Sequence, residues 1–106
     1  SDLITVYKPL PKYPAMARDI SMLVKDEIYV RDIEKEIEAN GGQLLENITL
    51  FDVYKGGQIA EGYKSVSFSI TFRAPDRTLT DDEVNKVMND ILDSLEKKFG
   101  AVLRDK

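Results

Sequence analysis

The sequence predicts an α+β domain in which six elements follow one another in the order β-α-β-β-α-β. Two patterns predict this class: four stretches rich in β-branched and other apolar residues, and two stretches in which apolar residues recur at helical spacing. The length of 106 residues, 42% of them apolar, is enough for one hydrophobic core and too short for two. We therefore expect a single folded unit.

The first strand is predicted over residues 18–25, where apolar and polar residues alternate with the period of two that a half-buried strand requires. Its apolar positions are Ile20, Met22 and Val24. The first helix is predicted over residues 30–39, because apolar residues recur there at i, i+3 and i+7 while charged residues take the other positions. We expect Asn40-Gly41-Gly42 to end it, since Asn and Gly tolerate the left-handed conformation common at helix C-termini.

Residues 44–55 and 63–73 predict two further strands joined as a hairpin through a glycine-containing connection. The later strand alternates strictly, with Val66, Phe68, Ile70 and Phe72 on one side and Ser65, Ser67, Ser69, Thr71 and Arg73 on the other. The earlier strand has apolar residues at both parities. A β-bulge or an edge covered by a neighbouring segment would each explain this, and both explanations stay open.

The second helix begins with a capping box, because Thr80 is followed three residues later by Glu83. Leu79 and Val84 are spaced for the hydrophobic staple that accompanies such a box. The apolar series keeps the helical period for about five turns, and its members are Val84, Val87, Met88, Ile91, Leu92, Leu95 and Phe99. We expect Gly100 to end the helix and residues 101–104 to form a short last strand.

This order of elements predicts a ferredoxin-like sandwich, an antiparallel sheet with strand order 4-1-3-2 and both helices on one face. The first and third strands then lie in the centre, and the face opposite the helices is left open. Residues 1–12 contain Pro9 and Pro11 and predict an extended arm or linker. The folded domain is accordingly assigned to residues 13–106.

Composition excludes several classes of function. The chain has no Cys and no His, which removes thiolate nucleophiles, the commonest general base and the commonest metal ligands. Asp19, Asp52 and Asp76 are the acids nearest the strands, but no partner for acid–base chemistry accompanies them, so we predict no catalytic residue and no metal site. No run of about 18 apolar residues suggests a membrane span, and no leader is apparent, so a cytoplasmic location is expected.

The charge distribution points to the open face. The net charge is −4, but acidic residues concentrate in the two predicted helices, which leaves the rest of the chain mildly basic. Arg18, Lys64 and Arg73 are predicted to be the cations nearest the open face. Tyr54 and Tyr63 are aromatic residues that more often pack across strands, and the alternative is that a base stacks on them. The small residues Ser21, Ser65, Ser67 and Ser69 would let a ligand approach closely, although such residues on an exposed strand face more often only face solvent.

Five segments, in order, resemble one family. They are residues 13–24 (YPAMARDISMLV), 50–56 (LFDVYKG), 61–73 (EGYKSVSFSITFR), 77–85 (RTLTDDEVN) and 100–104 (GAVLR). Together they are similar to the ferredoxin-fold anticodon-binding domain of phenylalanyl-tRNA synthetases, and the chain's end resembles the C-terminal end of the bacterial-type β subunit. A single-chain mitochondrial enzyme carries a similar domain, so the kind of parent stays open.

The resemblance implies that the domain grips the anticodon stem-loop of phenylalanine tRNA in protein biosynthesis. The resemblance also implies that the parent enzyme is a heterotetramer in which a catalytic α subunit carries out aminoacylation with ATP and magnesium. No cofactor is therefore expected in this fragment. Neither DNA nor a membrane is expected as a partner. The resemblance implies six candidate RNA-binding residues: Arg18, Asp19, Asp52, Tyr54, Ser65 and Arg73. The predicted open face adds five more candidates: Ser21, Tyr63, Lys64, Ser67 and Ser69.

Two other functions use the same fold. A regulatory or protein-interaction module of the ACT type is the alternative, and an acylphosphatase-type enzyme is a more distant one, because the phosphate-cradling loop with its Arg is missing. RNA-recognition modules place stacking aromatics on the exposed face of the third strand, whereas Phe68 and Phe72 share the parity of the predicted core. The standard stacking mode of those modules is therefore not expected.

Overall fold

The six predicted elements are present in the computed structural model, which describes residues 13–104. The strands are β1 (Met16–Lys25), β2 (Leu45–Tyr54), β3 (Tyr63–Phe72) and β4 (Val102–Leu103). The helices are α1 (Val30–Gly41) and α2 (Asp81–Phe99), and a single 3₁₀ turn, Gly42–Leu44, leads from α1 into β2. The predicted arm at residues 1–12 lies outside the described residues.

The strands form one antiparallel sheet in the order β2-β3-β1-β4, which confirms the predicted order 4-1-3-2. β1 and β3 pair along their whole length, from Met16 opposite Phe72 to Lys25 opposite Tyr63. The alternating apolar residues of both central strands are buried in one core with residues of both helices. The helices therefore cover one face of the sheet, the covered face, as the alternation predicted.

Two β-bulges in β2 explain why its apolar residues fall on both parities. Against β3, the pairing steps from Leu45 to Asn47 and again from Leu50 to Asp52, so one residue is extra at each step. Each extra residue reverses the alternation that follows it. Phe51 is the extra residue of the second bulge, and half of it is exposed, at 50%. Of the two explanations left open by the sequence, the bulge is confirmed.

The ends of α2 follow the predicted chemistry. The Thr80 hydroxyl accepts from the backbone N–H of Glu83, and the Glu83 carboxylate accepts from the backbone N–H of Thr80. Leu79 and Val84 are both buried, as a hydrophobic staple requires. Gly100 ends the helix in the left-handed conformation, with φ of 66°, and donates its N–H to carbonyls of the last turn. The prediction for this helix is confirmed.

The first helix runs two residues further than predicted, through Asn40 to Gly41. Gly41 is buried, and a Cβ atom at that position would collide with the side chain of Leu45 at the start of β2. A residue without a side chain is required here because the chain folds back tightly from α1 into the sheet. The residue with positive φ is Gly42, and its φ of 66° and ψ of −159° differ from the left-handed helical conformation that was expected at this end.

Candidate nucleic-acid interface

The sheet face opposite the helices, which we call the open face, is built from rows of side chains in register. One row runs Thr49, Ser69, Asp19 across β2, β3 and β1. The next runs Asp52, Ser67, Ser21, and a third runs Tyr54, Ser65, Leu23, with Val102 of β4 at its end. Residues opposite one another in a sheet point to the same side, so these side chains form one continuous surface.

The serines of β3 form the floor of this surface. Ser65 and Ser67 are only 1% and 4% exposed, and the hydroxyls of Ser67 and Ser21 are hydrogen-bonded at 2.7 Å. The expectation that these serines admit a ligand is therefore wrong for Ser65 and Ser67, because larger neighbours already cover them. Ser69 alone among the three serines of β3 keeps intermediate exposure.

Two tyrosines stand at one end of the open face. Tyr54 is opposite Ser65, and Tyr63 precedes Ser65 by two residues on the same side of β3, so the two tyrosines are diagonal neighbours. They are 48% and 42% exposed. A Cβ atom on Gly57, whose φ is +55°, would collide with the Tyr54 hydroxyl, so the hairpin packs closely against that ring. We call this pair the aromatic end, and it offers exposed ring faces for stacking.

Two of the three predicted cations lie on the covered face instead. Arg18 is opposite the buried Ile70, and its Nη2 lies 3.2 Å from Oδ1 of Asp81 at the start of α2. Lys64 is opposite the buried Val24 and is itself 8% exposed. The prediction that Arg18 and Lys64 lie near the open face is therefore wrong, because both share the strand parity of the core residues.

Arg73 keeps the predicted side but is engaged by its own chain. It follows the last residue of β3, at the opposite end of the sheet from the aromatic end. Its Nε donates to Oε2 of Glu46 at 2.8 Å, and its Nη1 donates to the carbonyl of Tyr13 at 2.6 Å. Glu46 is the extra residue of the first β2 bulge, so this pairing depends on the bulge.

Arg104 is a cation of the open face that the sequence prediction missed. Its backbone N–H donates to the carbonyl of Ser21 at 2.8 Å, which extends the short pairing of β4 with β1 by one residue. Its Nη1 donates to the hydroxyl of Ser65 at 2.9 Å, so the guanidinium lies over the central strand. It has no carboxylate partner among residues 13–104. The alternation of Val102 with Arg104 in the predicted last strand was the available signal.

Comparison with known proteins identifies the family to which this chain belongs. The family model described as "Ferredoxin-fold anticodon binding domain" matches residues 11–104. The chain belongs to this family. Among similar curated proteins are the phenylalanine–tRNA ligase β subunits of Clostridium tetani, 58% identical, Clostridium acetobutylicum, 50% identical, and Halalkalibacterium halodurans, 47% identical. Each alignment covers 98 residues, 92% of this chain, and the chain spans 12% of each relative. The predicted resemblance is confirmed.

The centre of the open face of this anticodon-binding domain is acidic. Asp19 and Asp52 lie in neighbouring rows, beside Ser69 and Ser67, and neither forms an ion pair with the residues that the structure describes. Carboxylates repel phosphates, but they accept hydrogen bonds from the amino groups of bases. The two acids therefore favour contact with the edges of bases over contact with RNA phosphates at the centre of the open face. Arg104 and Lys25 supply positive charge around this centre.

The connections beside the aromatic end are held by an ion pair. The Nζ of Lys55 lies 2.8 Å from Oδ1 of Asp26, and this hydrogen bond lowers the pKa of the Asp26 carboxyl below its usual value. The positive charge of Lys64 acts in the same direction. Asp26 is thus ionised at neutral pH and keeps the segment after β1 next to the hairpin.

The anticodon-binding domain shows neither a metal cluster nor a membrane-spanning helix in its described part. Across residues 13–104, no three His, Cys, Asp or Glu side chains come together as ligands for a metal ion would. Over the same residues, no helix is both long and apolar enough to cross a bilayer.

Proposed function

We propose that this domain binds the anticodon stem-loop of phenylalanine tRNA as part of a phenylalanine–tRNA ligase β subunit. The observation that carries the proposal is the open face itself, the one side of the described sheet that no helix covers, with two exposed tyrosines at one end. The family and the printed names of the relatives support the identity of the RNA.

The chemistry of the open face suits an unpaired base better than a duplex. Loop bases splay out and stack on aromatic rings, and each such contact contributes about 1–3 kcal/mol. Tyr54 and Tyr63 supply the rings, while Asp19 and Asp52 supply acceptors for base amino groups. Lys25 and Arg104 supply charge for phosphates beside the base. Ser21, Ser65 and Ser67 form the floor beneath these side chains, where Ser65 accepts a hydrogen bond from Arg104 and Ser21 is hydrogen-bonded to Ser67.

The other activities implied by the family are assigned to the parent protein. Because the chain spans 12% of its relatives, aminoacylation, ATP and magnesium are proposed to belong to the rest of that protein and to its catalytic α subunit in a heterotetramer. The domain itself is proposed to act without a cofactor, in the cytoplasm, with RNA and neither DNA nor a membrane as its partner. Its contribution would be affinity and anticodon specificity.

A titration of labelled stem-loops tests the proposal. The phenylalanine anticodon stem-loop is compared with the same stem carrying a permuted anticodon, using the 106-residue chain at low salt. We expect tighter binding of the phenylalanine loop and, with two phosphate contacts, a slope of log K against log salt near about −1.4. Equal affinity for both loops, or no binding of either, would contradict the proposal.

A further inference from the structure

Asp26, the first residue after β1, connects two loops beside the aromatic end. Its backbone N–H donates to the carbonyl of Gly62 at 2.9 Å, and its own carbonyl accepts from Nζ of Lys64 at 3.0 Å. Its carboxylate pairs with Lys55, as described above. The segment after β1 is thus tied to both ends of the connection between β2 and β3.

Lys64 takes part in this junction with two hydrogen bonds from its ammonium group. Its Nζ also donates to the carbonyl of Ile28 at 2.5 Å, and the side chain is buried on the covered face. Burying an ammonium group is costly unless hydrogen bonds compensate it, and here two backbone carbonyls do so. An amine held in this way cannot reach a phosphate on the open face, so its role has to be sought behind the sheet.

Each lysine of the junction directly follows a tyrosine of the aromatic end. Lys55 follows Tyr54, and Lys64 follows Tyr63. Successive residues of a strand point to opposite faces, so Lys64 anchors the backbone from behind while Tyr63 stands on the open face. The junction therefore fixes the backbone from which both rings project.

We propose that Lys64 and Asp26 are positioning residues that preorganise Tyr54 and Tyr63 as a stacking platform for an unpaired base. The inference rests on the proposed function for its ligand and goes beyond it by assigning a role to Lys64, which is buried behind the sheet, and to its partner Asp26. Holding the rings before binding removes the ordering cost from the binding step, which increases affinity.

Lys64→Met and Lys25→Met form a matched pair, because each removes one positive charge at the same end of the sheet. Lys25 is exposed and lies opposite Tyr63 on the open face. We expect Lys64→Met to weaken stem-loop binding about 5- to 150-fold, the loss of one stacking contact, without changing the salt slope. Lys25→Met is expected to reduce the magnitude of the slope by about 0.7.

An abasic nucleotide distinguishes positioning from general destabilisation. Each base of the loop is removed in turn, and the base whose removal costs the wild-type domain most is taken as the stacked one. In Lys64→Met the cost of removing that base should fall by about tenfold, whereas in Lys25→Met it should stay intact. A reduced salt slope in Lys64→Met, or an unchanged abasic cost, would overturn the positioning role.

Asp26→Asn gives a second test in which the two explanations predict opposite signs. The substitution removes a negative charge, so a purely electrostatic account predicts tighter RNA binding. Positioning predicts weaker binding, because Lys55 loses its ion-pair partner and the loops are no longer held together. Tighter binding would contradict the proposal, and this variant also covers the case in which Lys64→Met does not fold.

Amide hydrogen exchange of the RNA-free domain measures how firmly the junction holds the backbone. Because no RNA is present, this test of the positioning role does not depend on the proposed function. In Lys64→Met the amides of Asp26 and Tyr63, which donate to Gly62 and Ala60, should exchange roughly tenfold faster, while amides at the centre of β1 keep their protection. Unchanged exchange at both amides would overturn the positioning role even if the stem-loop binds as proposed.

Discussion

On the covered face of the sheet, Arg18 pairs with the carboxylate of Asp81, and the buried Lys64 donates to two backbone carbonyls. On the open face, Lys25 and Arg104 have no carboxylate partner among residues 13–104, and the guanidinium of Arg104 donates to the Ser65 hydroxyl. Arg18 and Lys25 lie in β1 and Lys64 lies in β3, whereas Arg104 directly follows the short strand β4.

Strand parity sets the face on which each of these four cations lies. Whether a cation is then held by the fold depends on the partners present there, since Arg73 keeps the side of the open face and is nevertheless held by Glu46 and the carbonyl of Tyr13. Counting basic residues near a sheet does not separate the two groups.

The same comparison explains how a chain of net charge −4 can carry a surface for a polyanion. The acidic residues are concentrated in α1 and α2, which lie behind the sheet on its covered face. Exposed charges more than a Debye length of about 8–10 Å apart are largely screened at ordinary ionic strength. The local balance on the open face therefore matters more for RNA than the sum over the chain.

The largest expected effect comes from breaking the covered face. Phe68 is fully buried at the centre of β3, so Phe68→Ala should lower the free energy of unfolding by about 3–5 kcal/mol through the cavity it leaves. Phe51→Ala is the matched control, because that ring is the exposed extra residue of a bulge and its loss should cost about 0.5 kcal/mol or less. Urea melts of both variants measure this, and similar losses would show that the bulge is misassigned.

On the open face, Tyr54→Ala should affect binding rather than folding. Loss of one stacked base weakens stem-loop binding by about 1–3 kcal/mol, whereas a half-exposed ring contributes little to the core. Tyr13→Ala is the control, because Tyr13 is also a tyrosine but precedes β1, at the end of the sheet away from the aromatic end. This variant should leave the affinity unchanged. Fluorescence titration of labelled stem-loops with both variants measures the difference, and a larger loss in Tyr13→Ala would place the RNA at the wrong end.

A smaller effect is expected where the two helices meet. Hydrogen bonds from Ser94, and next from Lys98, hold the pKa of Glu36 below its ordinary value of 4.5. A carboxyl whose pKa is lower in the folded state stabilises the fold above its ordinary pKa, and this contribution is lost as the pH falls through the folded value. Glu36→Gln should therefore be less stable than wild type at pH 7, and the gap should narrow below pH 4.5. Urea melts of both proteins from pH 7 to below pH 4.5 measure the difference in the free energy of unfolding. A difference that does not change with pH would contradict the lowered pKa of Glu36.

Local patterns predicted most of the fold. Alternation in β1 and β3, the helical period of α2 and the capping box at Thr80 depend on neighbours in sequence, and all were confirmed. The positions of the β2 bulges could not be predicted, because they depend on how two strands pair.

The candidate site was less predictable because it depends on register. The parity of β3 already assigned Lys64 to the core side, but the prediction placed it by sequence proximity to the open face. Arg104 was missed because its alternation with Val102 in so short a strand does not show which face the pair occupies until the pairing with β1 is known. The burial of Ser65 depends on neighbours that only the assembled sheet brings together.

The central claim, that RNA binds the open face, is tested most directly by two equal charge changes on opposite sides of the sheet. Arg104→Gln removes a cation from the open face, and Arg31→Gln removes an exposed one from α1. We predict that Arg104→Gln weakens binding of the phenylalanine anticodon stem-loop and reduces the magnitude of the salt slope by about 0.7, while Arg31→Gln changes neither. A reduced slope in Arg31→Gln, with Arg104→Gln like wild type, would place the RNA on the helices and contradict the account.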